Sequence, residues 1–263
     1  GLPLERVQLI NSDTKLVSYD RSTGASRTTT VMGLAIQRAA ADARAQLLDW
    51  ATTLYGANGP VELEAGGIRV GERTYAWDQV VQAWFSGGAG EVVGRGYVRR
   101  EGATRELPLF WEVAALGIDV AVDEETGELD VRRIATVGDV GRAINPQLAE
   151  GQDQGGAIMG LGVALREELI YEDGGLVNAN LFDYRYPRTT DLPEFRSVLA
   201  ERADGVGPYG AKGGGEGSVN PGAPALASAV AAAVGVRLRT APLTPERVWR
   251  ALRERRRAGD RER

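Results

Sequence analysis

Hydrophobic and polar residues follow two different periods along this chain, and the two periods predict a mixture of helices and strands. Residues 33–54 carry apolar side chains at every third or fourth position, which is the spacing of an amphipathic helix. Alternation on both sides of Glu125-Thr126-Gly127 predicts a β-hairpin at 120–134. Asp78 is the predicted cap of a short helix that follows it. The predicted helices are 33–54, 78–85, 149–166, 223–234 and 245–256, and the predicted strands include 7–10, 61–65, 68–77, 92–99, 109–123 and 195–202.

The order of these elements predicts an α+β fold. The strands form hairpins and do not belong to repeated β-α-β units, so the sheets should be mixed and mainly antiparallel, with helices packed against them. The glycine-rich stretch at 86–91 is the predicted boundary between two lobes. Residues 1–90 would form a first lobe that is incomplete at its N-terminus, and residues 91–263 would form a second lobe.

The composition removes several classes of chemistry. The 263 residues include no cysteine and no histidine, which excludes disulfides, thiolate metal sites, iron–sulfur ligands and Ser-His-Asp triads from this chain. Acid–base chemistry near neutral pH must then fall to a carboxylate, lysine, tyrosine or a cofactor. The net charge of -5 gives no basic field for nucleic acid or an anionic membrane. Because we find no export signal and no apolar run of roughly 20 residues, we expect a cytoplasmic protein.

The segment with the most chemical information is GVGPYGAKGGGEGSVNPGAPA, residues 205–225. Three consecutive glycines precede a lone carboxylate, Glu216, and a loop of this kind allows the backbone to approach a ligand closely. A surface linker with a solvated glutamate is the simplest alternative. The pattern G-x-G-x-x-G at 205–210 also resembles a dinucleotide fingerprint, but Pro208 interrupts it and no clear β-α-β unit surrounds it. A phosphate-binding Walker motif is excluded, since glycine follows Lys212.

Several segments, in one order, resemble a known family. GPYGAKGGGE resembles the signature of the molybdenum hydroxylases, the family of xanthine dehydrogenase, aldehyde oxidase and carbon monoxide dehydrogenase large subunits. Similar resemblances cover nearly the whole chain, and several motifs in a fixed order are far more specific than any one of them. The other matching segments are GASRTTTVMGLAIQRAA (24–40), DVGRAINPQLAEGQDQGGAIMGLGVALREEL (139–169), LFDYRYPRTTDLP (181–193) and TPERVWRAL (244–252).

The resemblance implies that this chain is the C-terminal part of a molybdopterin-binding subunit, with the two-lobed α+β fold of such domains. Glu216 would be the general base that takes a proton from a hydroxyl group on the molybdenum. That oxygen, derived from water, would attack an electron-poor carbon of a purine, an aromatic heterocycle or an aldehyde, while hydride passes to a sulfido ligand. Asp139, Asn145 and Pro146 also match the family, and we interpret them as structural residues of a turn.

The resemblance also implies a set of cofactor-binding residues. Gln152 would lie near the oxo or sulfido ligand of the metal, and the pterin dithiolene, not a protein side chain, would hold the molybdenum. A hydroxyl-rich loop before a helix is otherwise most often a cap and a turn. The implied cofactor-binding residues are Ala25, Ser26, Arg27, Thr28, Thr29, Gln152, Lys212 and Gly213.

The implied cofactor is a molybdenum-pyranopterin, with a cytosine dinucleotide tail as one possible form. Iron–sulfur clusters and FAD are expected on partner chains, because this chain has no cysteine. The upstream half of the family's molybdenum subunit, with its G-Q-G motif and much of the substrate pocket, is a further expected partner. Two other functions stay open: a structural or assembly subunit without catalysis, and, more remotely, a nucleotide-binding oxidoreductase.

Overall fold

The structure, a computed structural model of the chain, describes residues 2–11, 13–17, 23–56, 59–98 and 110–261. The chain forms two compact units. The first consists of Gly1–Gly24 and Thr28–Arg105, and the second of Ala25–Arg27 and Glu106–Arg263. The lobe boundary predicted at residue 90 stays a prediction, because a compact unit need not be an independently folding domain.

The first unit contains a long helix, an antiparallel three-stranded sheet and a short helix. The helix α1 (Thr28–Tyr55) includes all of the predicted helix 33–54. The predicted strand 68–77 is divided in two, because the chain turns at Gly71, where a φ of 59° suits glycine. The other elements are β1 (Val61–Glu64), β2 (Gly67–Val70), β3 (Arg73–Ala76) and α2 (Trp77–Trp84), and the buried core is Ala51, Ile68, Val70 and Val80.

Two local predictions in the first unit were wrong. Residues 7–10 are exposed and form no strand; a 3₁₀ turn at Leu4–Arg6 precedes them. Asp78 is not the cap of α2, because the helix begins one residue earlier, after Ala76, whose N–H donates to the Gln79 side chain at 3.0 Å. Asp78 lies in the first turn instead, where a carboxylate still interacts favourably with the helix dipole.

Residues 92–98, predicted as part of a strand, join no sheet. Side chains of α1 bind their backbone: Gln46 donates to the Val93 carbonyl at 3.0 Å, and Asp42 accepts the Arg95 N–H at 2.9 Å. A Cβ added at Gly94 would overlap the backbone of α1. The prediction was wrong because this segment satisfies its hydrogen bonds with side chains of a helix and not with a neighbouring strand.

The second unit is a three-stranded mixed sheet with helices packed against it. β4 (Val113–Val122) pairs with β5 (Leu129–Gly141) in the antiparallel sense, and β5 pairs with β8 (Glu194–Glu201) in the parallel sense. Its core joins the sheet to three helices through Ile134, Leu161, Leu226, Val230 and Leu252, among others. The elements are β4 (Val113–Val122), β5 (Leu129–Gly141), α3 (Pro146–Leu165), β6 (Tyr171–Glu172), β7 (Gly175–Leu176), β8 (Glu194–Glu201), α4 (Gly222–Val234) and α5 (Pro245–Arg261).

The hairpin between β4 and β5 is confirmed. Asp123 closes its turn, because its Oδ1 accepts the N–H groups of Glu125 at 2.8 Å and Thr126 at 3.2 Å. These charge-assisted bonds hold the pKa of Asp123 below its usual value. Gly127 has a φ of 81°, as expected for a turn glycine.

The helices α3 and α4 cross closely, and this crossing fixes the end of the glycine-rich segment. A Cβ at Gly160 would overlap the Val219 carbonyl, and a Cβ at Gly222 would lie 2.7 Å from the backbone of Gly160. Small residues at both positions therefore allow the backbones to touch.

The combination of helices with mainly antiparallel sheets confirms the predicted α+β class. None of the helices in the described parts of the chain is long and apolar enough to cross a membrane.

Candidate active site

Residues 205–217 of the glycine-rich segment divide into two halves. The first half, residues 205–212, is tied to the end of β5; we call it the anchored segment. Its backbone bonds to itself, with Gly207 N–H donating to the Ala211 carbonyl at 2.8 Å. It also bonds to the sheet, because the Lys212 N–H donates to the Val140 carbonyl at 2.8 Å and Ala211 bridges to Gly141. A 3₁₀ turn at Pro208–Gly210 lies inside it. The G-x-G-x-x-G pattern therefore does not open a helix, as a dinucleotide fingerprint requires.

The side chain of Lys212 strengthens this attachment. Its ammonium group lies 2.8 Å from Asp139 Oδ2 and 2.8 Å from Asp204 Oδ1, and the side chain is 12% exposed. The hydrogen bond with Asp139, followed by that with Asp204, raises the pKa of Lys212, and Lys212 lowers the pKa of Asp204. Asp139 also accepts the Gly141 N–H at 3.0 Å, which agrees with its interpretation as a structural residue. The Lys212 ammonium thus binds protein carboxylates.

The second half, residues 213–217, is the glycine loop, and it passes close to neighbouring chain segments. A Cβ at Gly213 would overlap the Ser26 carbonyl and lie 2.8 Å from the Phe110 ring. A Cβ at Gly214 would lie 2.7 Å from the Val140 side chain. Only glycine fits both positions without displacing a neighbour, so the run of glycines is explained by close packing.

Glu216, the predicted base, is exposed, and Ser26 binds its carboxylate. The Ser26 hydroxyl donates to Glu216 Oε2 at 3.1 Å and accepts the Gly215 N–H at 3.3 Å. Ser26 and the preceding Ala25 both have left-handed backbones, with φ of 50° and 54°. This uncommon turn directs the Ser26 side chain towards the loop, and such conformations concentrate at functional sites.

Gln152 lies on the same side of the loop, in the second turn of α3. Its Oε1 is 3.8 Å from the position of a Cβ added at Gly215. The cap of α3 places it there: the Asn145 side chain accepts the Leu148 N–H at 3.1 Å, with Pro146 at the first helical position. The structure therefore brings together Ser26, Gln152, Gly213 and Glu216, which are separated by up to 190 positions in the sequence.

Other predicted residues lie elsewhere or keep an untested role. Thr28 and Thr29 are the first residues of α1 in the first unit, and the Thr28 hydroxyl lies 3.3 Å from that of Thr23. Ala25 and Arg27 belong to the second unit, with Ser26 between them. Their binding of a cofactor stays a prediction, as does that of Lys212.

Sequence reasoning missed Glu112, which directly precedes β4. Its Oε1 accepts the backbone N–H groups of Glu216 at 2.8 Å and Gly217 at 2.7 Å. The partners are more than 100 positions away in the sequence, and no local pattern around a glutamate at a strand start indicates such contacts. Glu112 could be found only from the fold.

Asp153 was also missed, although the sequence contains a signal for it. The buried positions of α3 follow helical spacing, and Asp153 stands in that stripe with Gly156, Ala157 and Gly160. It is 5% exposed, its Oδ1 accepts the Ser218 hydroxyl at 2.7 Å, and its Oδ2 has no partner among the described residues. Burial raises the pKa of Asp153, the charge of Glu112 raises it further, and the Ser218 bond opposes both.

The donor set around the glycine loop fits an organic cofactor with polar edges. The Ser26 hydroxyl and the Gln152 amide can both donate and accept hydrogen bonds, and they lie beside the exposed carboxylate of Glu216. Direct binding of a transition metal uses thiolates, imidazoles or clustered carboxylates instead. The residues present thus suit a metal that arrives with its own organic ligand.

A separate cleft of about 250 Å³ lies between the start of β5, the end of α3 and residues 187–192. Arg166 donates to Asp191 at 2.8 Å on its wall, and Arg188 also pairs with this carboxylate. The bonds from Arg188, with the charge of Arg166, lower the pKa of Asp191 to about 2. The cleft is lined by none of the predicted site residues.

Comparison with known protein families identifies the family of the chain. The family model of the molybdopterin cofactor-binding domain matches residues 1–193, which include Ser26 and Gln152 but end before Glu216. The chain belongs to this family of molybdopterin cofactor-binding domains. Several relatives are named as molybdenum-binding subunits of a xanthine dehydrogenase or an aldehyde oxidoreductase, which confirms the predicted family.

Three relatives show the extent of the similarity. The probable hypoxanthine oxidase XdhD of Escherichia coli K12 is 32% identical over 256 residues, which are 95% of this chain and 26% of XdhD. The carbon monoxide dehydrogenase large chain of Hydrogenophaga pseudoflava is 31% identical over 97% of this chain and 32% of its own length. The crystal structure of quinoline 2-oxidoreductase from Pseudomonas putida 86 has a TM-score of 0.77 and 28% identity, over 91% of this chain and 32% of that one. The chain therefore spans about a quarter to a third of these proteins.

Proposed function

We propose that this chain supplies the base-bearing part of a molybdenum hydroxylase, an enzyme that oxidises an electron-poor carbon of a purine, an aromatic heterocycle or an aldehyde. Membership of the molybdopterin-binding family supports the reaction class. The names of the relatives include a hypoxanthine oxidase and a quinoline oxidoreductase, which support heterocyclic substrates. The observation that carries the proposal is the hydrogen bond from Ser26 to the carboxylate of Glu216 at 3.1 Å.

Glu216 is the proposed general base. The Ser26 hydroxyl binds Oε2, and Oε1 has no partner among the described residues, so this oxygen is available to take a proton. The glycines beside it add no side chain that would shield the carboxylate from a substrate. A positioned carboxylate of this kind can remove a proton from an oxygen nucleophile as the new carbon–oxygen bond forms.

Three groups of this unit would hold the cofactor: the side chains of Ser26 and Gln152 and the backbone at Gly213. Ala25 and Arg27 lie beside Ser26 in the sequence. When bound, the molybdenum-pterin group supplies a two-electron acceptor and a water-derived oxygen. The Gln152 amide can donate to an oxygen or sulfur of that group. Lys212 would act indirectly, because its ammonium group holds the anchored segment through Asp139 and Asp204.

Electrons must leave through other polypeptides or domains. The sequence has no cysteine to ligate an iron–sulfur cluster, so we infer partner chains or domains that carry iron–sulfur clusters and FAD. The relatives are three to four times longer than this chain, and we infer that the remaining substrate pocket belongs to the part of the molybdenum subunit that corresponds to their additional length. The cytosine dinucleotide form of the cofactor belongs to the same proposal.

The test is Glu216→Gln in the complete enzyme that contains this chain. Glutamine keeps the shape of the side chain and can still accept the Ser26 hydrogen bond, but it cannot act as a base. We expect turnover to fall by about 10² to 10⁴-fold, while the molybdenum content measured by elemental analysis stays near that of the wild type.

Glu125→Gln is the matched control. It makes the same chemical change on an exposed glutamate at the hairpin turn, at the far end of β4 and roughly 30 Å from the Glu112 end of that strand. Unchanged turnover in Glu216→Gln would refute the base assignment. Molybdenum without activity on any aldehyde or heterocycle in the wild-type assembly would instead favour a structural subunit.

A further inference from the structure

The carboxylate of Glu112 binds the backbone on which the proposed base is carried. Its Oε1 accepts two consecutive N–H groups, from Glu216 at 2.8 Å and from Gly217 at 2.7 Å. Hydrogen bonds to a charged acceptor are shorter and stronger than neutral ones. Two of them on adjacent peptide groups fix both the position and the orientation of the chain at Glu216.

The glycine loop needs such a contact. Glycine has more conformational freedom than any other residue, so Gly213, Gly214 and Gly215 alone would leave the following residue poorly placed. A catalytic group must be held within about 0.5 Å of its productive position. The Ser26 hydroxyl orients the carboxylate, the Val219 N–H binds the Glu216 carbonyl at 3.1 Å, and Glu112 is the side chain that binds the main-chain N–H of Glu216.

The packing of Gly217 is an independent sign of this role. A Cβ at Gly217 would lie 3.1 Å from Glu112 Cγ and 3.2 Å from its Oε1, which is tighter than ordinary contact. Glycine at 217 therefore allows Glu112 to approach the loop. Glu112 in turn is held by the sheet, since the next residue, Val113, pairs with Asp139 of β5.

We propose that Glu112 is a positioning residue that fixes the backbone of Glu216 for proton transfer. The inference rests on the proposed function of Glu216 as the base. Glu112 does not touch the reacting atoms in this arrangement, because its oxygen binds the main chain of the loop. Its removal would leave two backbone donors without their acceptor and release the residue that bears the base.

The experiment compares Glu112→Ala with Glu112→Gln in the complete enzyme. Alanine removes the acceptor, and we expect kcat to fall by about 10²-fold with little change in KM, as for a misplaced catalytic group. Glutamine keeps an oxygen that can accept both N–H groups, so we expect activity within about tenfold of the wild type. Hydrogen exchange of the 213–218 backbone, followed by mass spectrometry, should be faster in the alanine variant and close to wild type in the glutamine variant.

Asp123→Ala is the matched control. It removes another carboxylate that accepts two backbone N–H groups, but in the hairpin turn at the other end of β4. We expect faster exchange at residues 125–126, unchanged exchange at 213–218 and normal kcat. A general loss of stability would instead affect both variants alike.

If Glu112→Ala does not accumulate, Gly217→Ala tests the same contact by pushing Glu112 away, and a lower kcat with faster loop exchange is expected. Wild-type kcat in Glu112→Ala, or in Gly217→Ala where Glu112→Ala does not accumulate, would overturn the positioning role. If Glu216→Gln is inactive at the same time, the proposed base stays intact. Full activity of Glu216→Gln would refute the base, and the positioning role with it. Loss of kcat in Glu112→Gln equal to that in the alanine variant would also contradict the proposal.

Discussion

The two halves of the glycine-rich segment are held in opposite ways. The anchored segment, residues 205–212, uses its own backbone and its own charged side chain, Lys212, to bind the end of β5. The glycine loop, residues 213–217, has one side chain, that of Glu216, and the groups that hold it come from Ser26 and Glu112 elsewhere in the chain. One half fastens the segment to the sheet, and the other leaves a carboxylate accessible while distant residues position it.

This difference gives Lys212 and Glu216 separate tasks although only three residues lie between them. The resemblance of the sequence to the family predicts that both lie near the cofactor. In the structure, the Lys212 ammonium binds Asp139 and Asp204, whereas the Glu216 carboxylate is exposed and binds a single hydroxyl. A change in the glycine loop should therefore affect turnover more than stability, and a change at Lys212 should do the reverse.

The largest expected effect comes from adding a side chain to the glycine loop. Gly213→Val would place a branched side chain where even a Cβ overlaps the Ser26 carbonyl and crowds the Phe110 ring. Displacement of Ser26 would separate its hydroxyl from Glu216. We expect kcat to fall by about 10²-fold or more, measured in steady-state assays of the complete enzyme, together with a lower molybdenum content.

Gly155→Ala is the control for this change, since a Cβ at Gly155 of α3 would meet no atom within 4 Å. It should leave kcat unchanged and slightly stabilise the helix. Normal turnover in Gly213→Val would show that the close packing of the glycine loop is unnecessary, and the distinction between the two halves would fail.

How far the sequence predicts this arrangement depends on the range of the interactions. The hairpin at 120–134 was predicted from its turn residues, Glu125-Thr126-Gly127, between alternating strands, and in the structure Asp123 closes that turn with partners three residues or fewer away. The role of Glu216 as a general base was predicted because glycines surround this residue and the family signature includes it. Local chemistry of this kind is visible in a window of ten residues.

The remaining contacts depend on the fold. Glu112 resembles any polar residue at the start of a strand, and its two partners lie more than 100 positions away. Residues 92–98 have a strand-like pattern, but their hydrogen bonds go to Asp42 and Gln46 of α1. Asp153 is the intermediate case, because the spacing of the α3 stripe marks it as buried while its partner Ser218 is invisible in the sequence.

A smaller effect, on stability, is expected at the anchored segment. Lys212→Met keeps much of the side-chain volume but leaves Asp139, which is 20% exposed, without its cation. We expect the free energy of local opening of residues 205–212 to fall by about 2 kcal/mol. Native-state hydrogen exchange measures this free energy directly at two backbone N–H groups. They are the N–H of residue 212, which donates to the Val140 carbonyl, and that of Arg142, which donates to the Gly210 carbonyl.

Arg202→Met serves as the control, because Arg202 pairs with Asp204 at 3.7 Å while exposed, and exposed pairs contribute little. This variant should leave the free energy of local opening of residues 205–212 almost unchanged. If Lys212→Met kept normal exchange and instead lost molybdenum, then Lys212 would bind the cofactor directly, and the two halves of the segment would share one task.

The smallest effect concerns the buried carboxylate directly behind the glycine loop. Because burial raises the pKa of Asp153 in the folded protein, the folded state holds this proton more tightly than the unfolded state. Stability should then be greatest below the unfolded pKa of about 4 and fall as the pH rises from there through the folded pKa.

Asp153→Asn keeps an oxygen for the Ser218 hydroxyl and carries no charge. The variant should therefore lose this decline in stability and become more stable than the wild type as the pH increases. The gain should be smaller than the loss at Lys212, since the Ser218 bond offsets part of the burial penalty. Thermal unfolding midpoints of both proteins, compared from about pH 4 to pH 8, measure this difference. Parallel curves would mean that the pKa of Asp153 is the same in the folded and unfolded states, so that the carboxylate is charged above about pH 4. A charged Asp153 would place a second carboxylate charge behind the loop, next to that of Glu112.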